Sequence, residues 1–283
     1  MRICTFYEAR LGRNDGSPLY YTHRLRQMGH EVLHLSSEAL PDDFGKFDMY
    51  LWVDWGEDAL KGLLPYDPIK MNDLHPSVYI TSDTHLGYDY RLQKSKEFDH
   101  VFCNQIRAIE EFDKDGIKAN WLPHAVDPQA YPNAPVAMKK YDIGFVGFVT
   151  FPKRAEMLDR LFKEFPNFWY GQRLFEECAE VYRKSRIVFN TAAVDDINMR
   201  CFEATATGSF LLTEWVPTLS ECFEDGKHLV TYKTMDEAIE KARYYLEHEE
   251  EREAIAKAGM DHTLTNHTYK HRAEKILEVI NDT

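Results

Sequence analysis

Short runs of β-branched and aromatic residues alternate with helix-spaced segments along almost the whole chain, and the alternation runs twice. Alternation of this kind builds parallel sheets, because each return over the sheet is made by a helix. The first round places strands at 2–7, 31–35, 48–53, 78–81, 100–103 and 119–122, with helices at 19–28, 57–64, 90–96 and 105–112. Pro123, Pro128, Pro132 and Pro135 then fall within 13 residues, a stretch that holds neither a continuous helix nor a central strand. Residues 123–140 therefore read as a linker. The second round gives strands at 142–146, 167–170, 187–190, 209–213 and 229–232, and helices at 154–162, 175–183 and 198–206, the last closed by Gly208. Met235, Ala238, Ile239, Ala242 and Leu246 share one helical face, as do Tyr269, Ala273, Ile276, Leu277 and Ile280. The acidic run Glu247 to Glu251 reads as a solvated face. The expected architecture is α/β, with two Rossmann-like lobes (1–122 and 141–265) whose parallel sheets face a central cleft. A last helix over 266–283 is expected to pack back towards the first lobe. Ligands of such sheets bind outside the carboxyl ends of the strands.

Composition narrows the partners. Hydrophobic residues make up 44% of 283, enough for a sizeable core without metal or disulfide staples. The net charge of −13 argues against a general nucleic-acid or anionic-membrane coat, though a local basic cleft stays open. Apolar stretches such as 208–212 fall far short of a membrane span of about 20 residues. Met1-Arg2-Ile3-Cys4 runs straight into a strand with no signal peptide ahead of it, and the five cysteines are odd in number, scattered and without a CxxC. Reduced thiols in a cytoplasmic protein are the expected state, which sets aside structural zinc and a secreted scaffold.

The chemistry concentrates in Asp195-Asp196-Ile197-Asn198-Met199-Arg200-Cys201-Phe202-Glu203-Ala204-Thr205-Ala206-Thr207-Gly208. Met199, Phe202 and Ala206 form the packing stripe of a short helix, and Glu203 lies beside it, partly buried. A desolvated carboxylate needs donors. Arg200, three residues earlier, is one candidate; a ligand with paired hydroxyls, such as a ribose, is another. The helix N-terminus offers unpaired N–H groups to an anion such as pyrophosphate. Spacing alone leaves a structural Arg200–Glu203 pair and a ligand site both open.

An acidic residue, seven intervening residues and then Glu in such a helix resembles the acidic pair of retaining GT-B-fold glycosyltransferases. The second half, from Tyr141 to Ile280, more specifically resembles their CgeB-like (spore maturation protein) branch. The supporting segments are Tyr141-Asp142-Ile143-Gly144-Phe145-Val146-Gly147, Asn198-Met199-Arg200-Cys201-Phe202-Glu203-Ala204 and Gly208-Ser209-Phe210-Leu211-Leu212-Thr213, then Glu251-Arg252, Ile255-Ala256, Gly259, His267-Thr268-Tyr269 and Arg272. In the first half, Gly29-His30-Glu31-Val32 matches the end of the family's first helix. Leu122-Pro123-His124-Ala125-Val126-Asp127 sits where the family has its junction turn, with His-Ala in place of Asn-Gly.

The resemblance implies roles, position by position. Glu203 would accept hydrogen bonds from the ribose of a nucleotide diphosphate sugar. Asp195, where the family more often has Glu, would contact the sugar hydroxyls. Gly147 and the loop after it would approach the diphosphate, with Lys153, Arg154 and Arg200 offsetting its charge. Tyr170, in Tyr170-Gly171-Gln172, would border the base. Across the cleft, Gly16, at the end of the loop carrying Arg10, Gly12 and Arg13, would face the donor; no GxGxxG is present. Asp83 and His85 follow a strand and are candidates to bind or deprotonate the acceptor hydroxyl. Asp54 is a further acceptor-side candidate, and Tyr20, Trp55 and Tyr88 are candidates to stack on the acceptor.

The function expected from this resemblance is transfer of a sugar from a nucleotide diphosphate sugar, a UDP-sugar first among them, to an acceptor hydroxyl. Retention at the anomeric carbon is expected, and no metal or other cofactor, because cations and helix N-termini would take the metal's place at the departing diphosphate. The acceptor could be a glycan, a protein or modified phage DNA. The other readings are a nucleotide-sugar epimerase or hydrolase on the same lobes, and a catalytically silent nucleotide-binding protein.

Overall fold

The computed structural model describes residues 1–7, 16–36, 45–54, 71–135, 138–149 and 152–282. The expected helix at 57–64 and residues Arg10, Gly12, Arg13 and Trp55 lie outside the described residues. The chain divides into two compact units. The first comprises Met1–Pro123 and Tyr269–Thr283, and the second comprises His124–Thr268.

The first unit carries six strands: β1 (Arg2–Tyr7), β2 (Glu31–Ser36), β3 (Met49–Val53), β4 (Ser77–Thr81), β5 (His100–Cys103) and β6 (Ala119–Trp121). All pair in parallel in the order β2-β1-β3-β4-β5-β6. Helices α1 (Ser17–Gln27), α2 (Tyr88–Ser95) and α3 (Ile106–Lys114) connect them. The residues of β3 and β4 are buried throughout, because a parallel sheet covered on both faces has no polar side. The last helix of the chain, α9 (Tyr269–Asn281), completes this unit. Its Tyr269 ring lies 5.0 Å from Tyr20 and 5.1 Å from Tyr21 on α1, and its hydroxyl is 2.8 Å from the Ser17 hydroxyl.

The second unit has five parallel strands, β7 (Tyr141–Val146), β8 (Phe168–Gly171), β9 (Ser185–Asn190), β10 (Leu211–Glu214) and β11 (Val230–Tyr232), in the order β11-β10-β9-β7-β8. The order reverses between β7 and β9. That point is where a sheet of this type opens a crevice at its carboxyl edge. Helices α4 (Pro152–Glu164) and α7 (Met235–Glu247) bury Met157, Leu158, Leu161, Ala238, Ile239 and Ala242 against Phe145, Ile187, Phe189 and Leu212 of the sheet. Helices α5 (Phe175–Lys184), α6 (Met199–Ala206) and α8 (Glu249–Asn266) complete the unit. Residues 124–135 also belong to it: Val126 bridges Thr268 and bonds the His267 carbonyl, and Tyr131 is buried.

The expected elements fall within about three residues of their places wherever they are described, while α8 has no counterpart in the helical stripes read from the sequence. All five cysteines are buried thiols. Burial pushes Cys201 up to about 11, and Cys4 and Cys178 up to about 12, so they remain protonated packing groups near neutrality. No helix among the described residues is long and apolar enough to cross a membrane.

Candidate functional site

The carboxyl ends of β7 and β9 collect a cluster of cations and amides. Arg200, in the first turn of α6, turns away from its own helix. Its guanidinium donates to the Val146 carbonyl at 2.5 Å and to the Asn190 side-chain carbonyl, and lies 4.6 Å over the Phe145 ring. It thus spans the point where the strand order reverses, holding the last residue of β9 and the last of β7. Asn190 is held in turn by Asn198, the residue just ahead of α6, and donates to the Thr213 hydroxyl at 2.9 Å. Arg154, in the first turn of α4, reaches the same ring from its own side at 5.8 Å and donates to the carbonyls of Phe148 (2.9 Å) and Thr191 (3.4 Å). Burial and the neighbouring Arg200 charge lower the Arg154 guanidinium from its ordinary value, while Glu214 opposes the shift. Two guanidinium groups gathered at one aromatic ring are costly unless anions or ring electrons offset them.

Gly147 closes this corner. Its φ is +153°, and a Cβ there would stand 2.6 Å from the Arg200 guanidinium and 3.3 Å from the Phe145 ring. Gly147→Ala is therefore expected to cost about 1–3 kcal/mol of stability through backbone strain and crowding. Thermal denaturation checks this; an unchanged melting temperature would show that the corner yields freely.

Glu214, at the end of β10, was not singled out by the sequence reading. One carboxylate oxygen accepts from the Lys153 ammonium at 2.6 Å; the other accepts from the Thr191 hydroxyl at 2.8 Å and the Ala192 N–H at 3.2 Å. The only advance signal was a charged residue ending an apolar strand, Leu211-Leu212-Thr213-Glu214.

Glu203 is 9% exposed, and the Tyr131 hydroxyl donates to its carboxylate. Burial raises this carboxyl above its ordinary range; Tyr131 and the nearby Arg200 charge oppose the rise. Arg200 and Glu203 do not form the i, i+3 ion pair that spacing left open, because the guanidinium is directed onto Asn190 and Val146 instead. Asp195 is exposed in the loop between β9 and α6. Its neighbour Asp196 is buried instead, accepting from the Ile197 N–H at 2.8 Å and the Thr218 hydroxyl at 2.6 Å. Tyr170, on β8, is 58% exposed and stacks on Phe168.

In the first unit, Asp83 and His85 follow β4 at the carboxyl edge of that sheet; Asp83 is half-buried with φ +48°, and His85 is exposed. Gly16 caps α1 with φ +119°. Asp54, expected on the acceptor side, is committed to packing. It is buried, 2.9 Å from the Arg91 guanidinium, and accepts from the hydroxyls of Tyr79 (3.1 Å) and Thr81 (3.2 Å). Tyr20 packs on Tyr269, and Tyr88 stacks on Phe112 with its hydroxyl on Asp115, so neither ring presents a free platform.

Solved structures match the chain over essentially its whole length, and three of them illustrate the likeness. Sucrose-phosphate synthase from Thermosynechococcus elongatus is similar with a TM-score of 0.63 and 11% identity, over 99% of this chain and 98% of that one. HepE from Anabaena, in complex with UDP and glucose, gives 0.67 and 11% over 100% of both chains. An alpha-glucosyltransferase in complex with UDP and a 13-mer DNA containing a HMU base gives 0.68 and 10% over 99% of both.

The fold is GT-B.

Within it, residues 150–278 match a family model described as glycosyl transferase-like. No curated protein sequence matches the chain. The matched span of this GT-B chain begins just after Gly147 and takes in Lys153, Arg154, Asp195, Arg200, Glu203 and Glu214.

Proposed function

We propose that this chain transfers a sugar from a nucleotide diphosphate sugar to an acceptor hydroxyl, and that the donor binds at the carboxyl edge of the second unit. The observation that carries this reading is the convergence of Arg154 and Arg200 on Phe145 at the reversal of strand order, with Gly147 leaving room beside them. A diphosphate is the anion that suits two guanidinium groups and a helix N-terminus. Lys153 adds a third cation, and the first N–H groups of α6 belong to the same turn as Arg200. These groups would stabilise the departing diphosphate electrostatically, the work a metal does elsewhere, so the reaction proceeds without one.

Glu203 accepts from the ribose hydroxyls, sharing its lone pairs with Tyr131, and Asp195 contacts the sugar. Tyr170, exposed at the end of β8, borders the base. The proteins of known structure that bind UDP or a UDP-sugar on this fold support uracil as that base. The acidic pair supports retention, and the spaced motifs of the second half support the CgeB-like branch. Asp83 and His85 are the acceptor-side candidates. A glycan, a protein or a hydroxylated DNA base would supply the hydroxyl, and the chain's acidity favours the first two. The buried, unbridged thiols support a reducing, cytoplasmic setting.

Calorimetry with UDP and UDP-sugars tests the reading, with turnover then followed in a chelator. UDP binds to the wild type, and Glu203→Ala loses about 1.5–3 kcal/mol of that binding through lost charge-assisted hydrogen bonds. Equal affinity in a folded Glu203→Ala protein would remove the ribose role; absence of UDP binding to the wild type would remove the donor site.

A further inference from the structure

Glu214 sits where an enzyme that binds a diphosphate has no simple use for a negative charge. Its side chain is only 16% exposed, against 67% for Lys153, so the carboxylate is fixed and the lysine arrives from solvent. The fixing is visible on its other oxygen, which holds Thr191 and Ala192 at the start of the loop that carries Asp195. The carboxylate also supports the charge on Arg154. A single group thus binds the first turn of α4, the end of β10 and the loop after β9.

Resting on the donor reading above, we propose that Glu214 is a positioning residue of the donor site with two tasks. Through Thr191 and Ala192 it sets the course of the loop after β9. Through Lys153 it acts as an internal counter-anion: it holds the ammonium while no diphosphate is present and yields it when one arrives. No bond is made or broken; one ion pair replaces another. The carboxylate thereby offsets part of the mutual repulsion of the clustered cations. It also lowers the net gain from Lys153, since the lysine must leave one anion to meet the next. The consequence is selective. A ligand without phosphates gives the lysine no reason to leave, so Glu214 affects nucleotides and not nucleosides.

A double-mutant cycle on binding tests this, with UDP and uridine as probes and Glu214→Gln, Lys153→Gln and the double variant as proteins. The amide of Glu214→Gln still accepts from Thr191 and Ala192 while dropping the charge. Glu214→Gln is expected to bind UDP about two- to fivefold more tightly, the range of a solvent-exposed ion pair, and to bind uridine as the wild type does. The gain should vanish when Lys153 is already glutamine, because both changes act through one pair. If Glu214→Gln does not fold, Glu214→Met, which drops the charge at a similar side-chain length, takes its place with the same expected gain. A gain of equal size in the Lys153→Gln background would reduce Glu214 to a general charge effect, and no gain or a loss in UDP affinity would also overturn the counter-anion role. Failure of the wild type to bind UDP at all would instead overturn the donor reading on which this one stands.

Discussion

Asp54→Ala is expected to destabilise the first unit by about 3–5 kcal/mol, the largest effect of any single substitution argued for this chain. The reason is the partner left behind. Arg91 has no exposed side-chain surface, and its guanidinium meets Asp54 at 2.9 Å. Tyr79 and Thr81 would also lose their common acceptor. Burial raises the Asp54 carboxyl above its ordinary range despite Arg91 and the two hydroxyls, so the intact pair is not itself a large source of stability. What is expensive is half of it. The double variant Asp54→Ala with Arg91→Met should therefore be markedly more stable than Asp54→Ala alone. Thermal melts measure this, with a fall of about 10 °C expected for the single change. A single variant within about 1 kcal/mol of wild type would mean that solvent reaches Arg91 and relieves it.

Arg200→Ala carries the largest expected effect on binding. Removing the guanidinium deletes the charge that a diphosphate would meet at the reversal between β7 and β9. UDP affinity should fall about 10- to 100-fold, equivalent to about 1.5–3 kcal/mol for charge-assisted hydrogen bonds. Asn190 keeps Asn198 and Thr213 as partners, so the fold should survive. Arg200→Lys should recover only part of the loss, because a point charge cannot span the Val146 carbonyl and Asn190 together. Uridine, lacking phosphate, should be nearly indifferent to both changes. If uridine binding fell as far as UDP binding, Arg200 would be shaping the pocket and not meeting the phosphates.

Strands and helices were legible because each is announced locally, by a run of β-branched residues or a stripe at helical spacing. Arg200 shows where that ends. Its place in a short helix beside Glu203 was readable; that it would cross to β7 was not, because strand order is a property of the whole sheet. Spacing offered Glu203 as one candidate partner, and the actual partners lie 54 and 10 residues away. Tyr131 marks a second limit. Four prolines exclude regular structure, yet irregular backbone packs as well as any other, and this tyrosine reaches Glu203 from within the stretch read as a linker. Asp54 was misplaced for a related reason: position at a strand end predicts exposure only when no long cation, such as Arg91, lies opposite.

The first unit is stitched from the beginning and the end of the chain, whereas the second is one uninterrupted stretch. The second can therefore close its core from that one stretch, whereas the first needs α9 to bring Tyr269 against Tyr20 and Tyr21. A gene fragment cut at the Pro123 boundary would encode a body lacking one of its own walls. Joining residues 269–282 ahead of residue 1 through a spacer would supply that wall, and is the form in which the N-terminal half could be made alone.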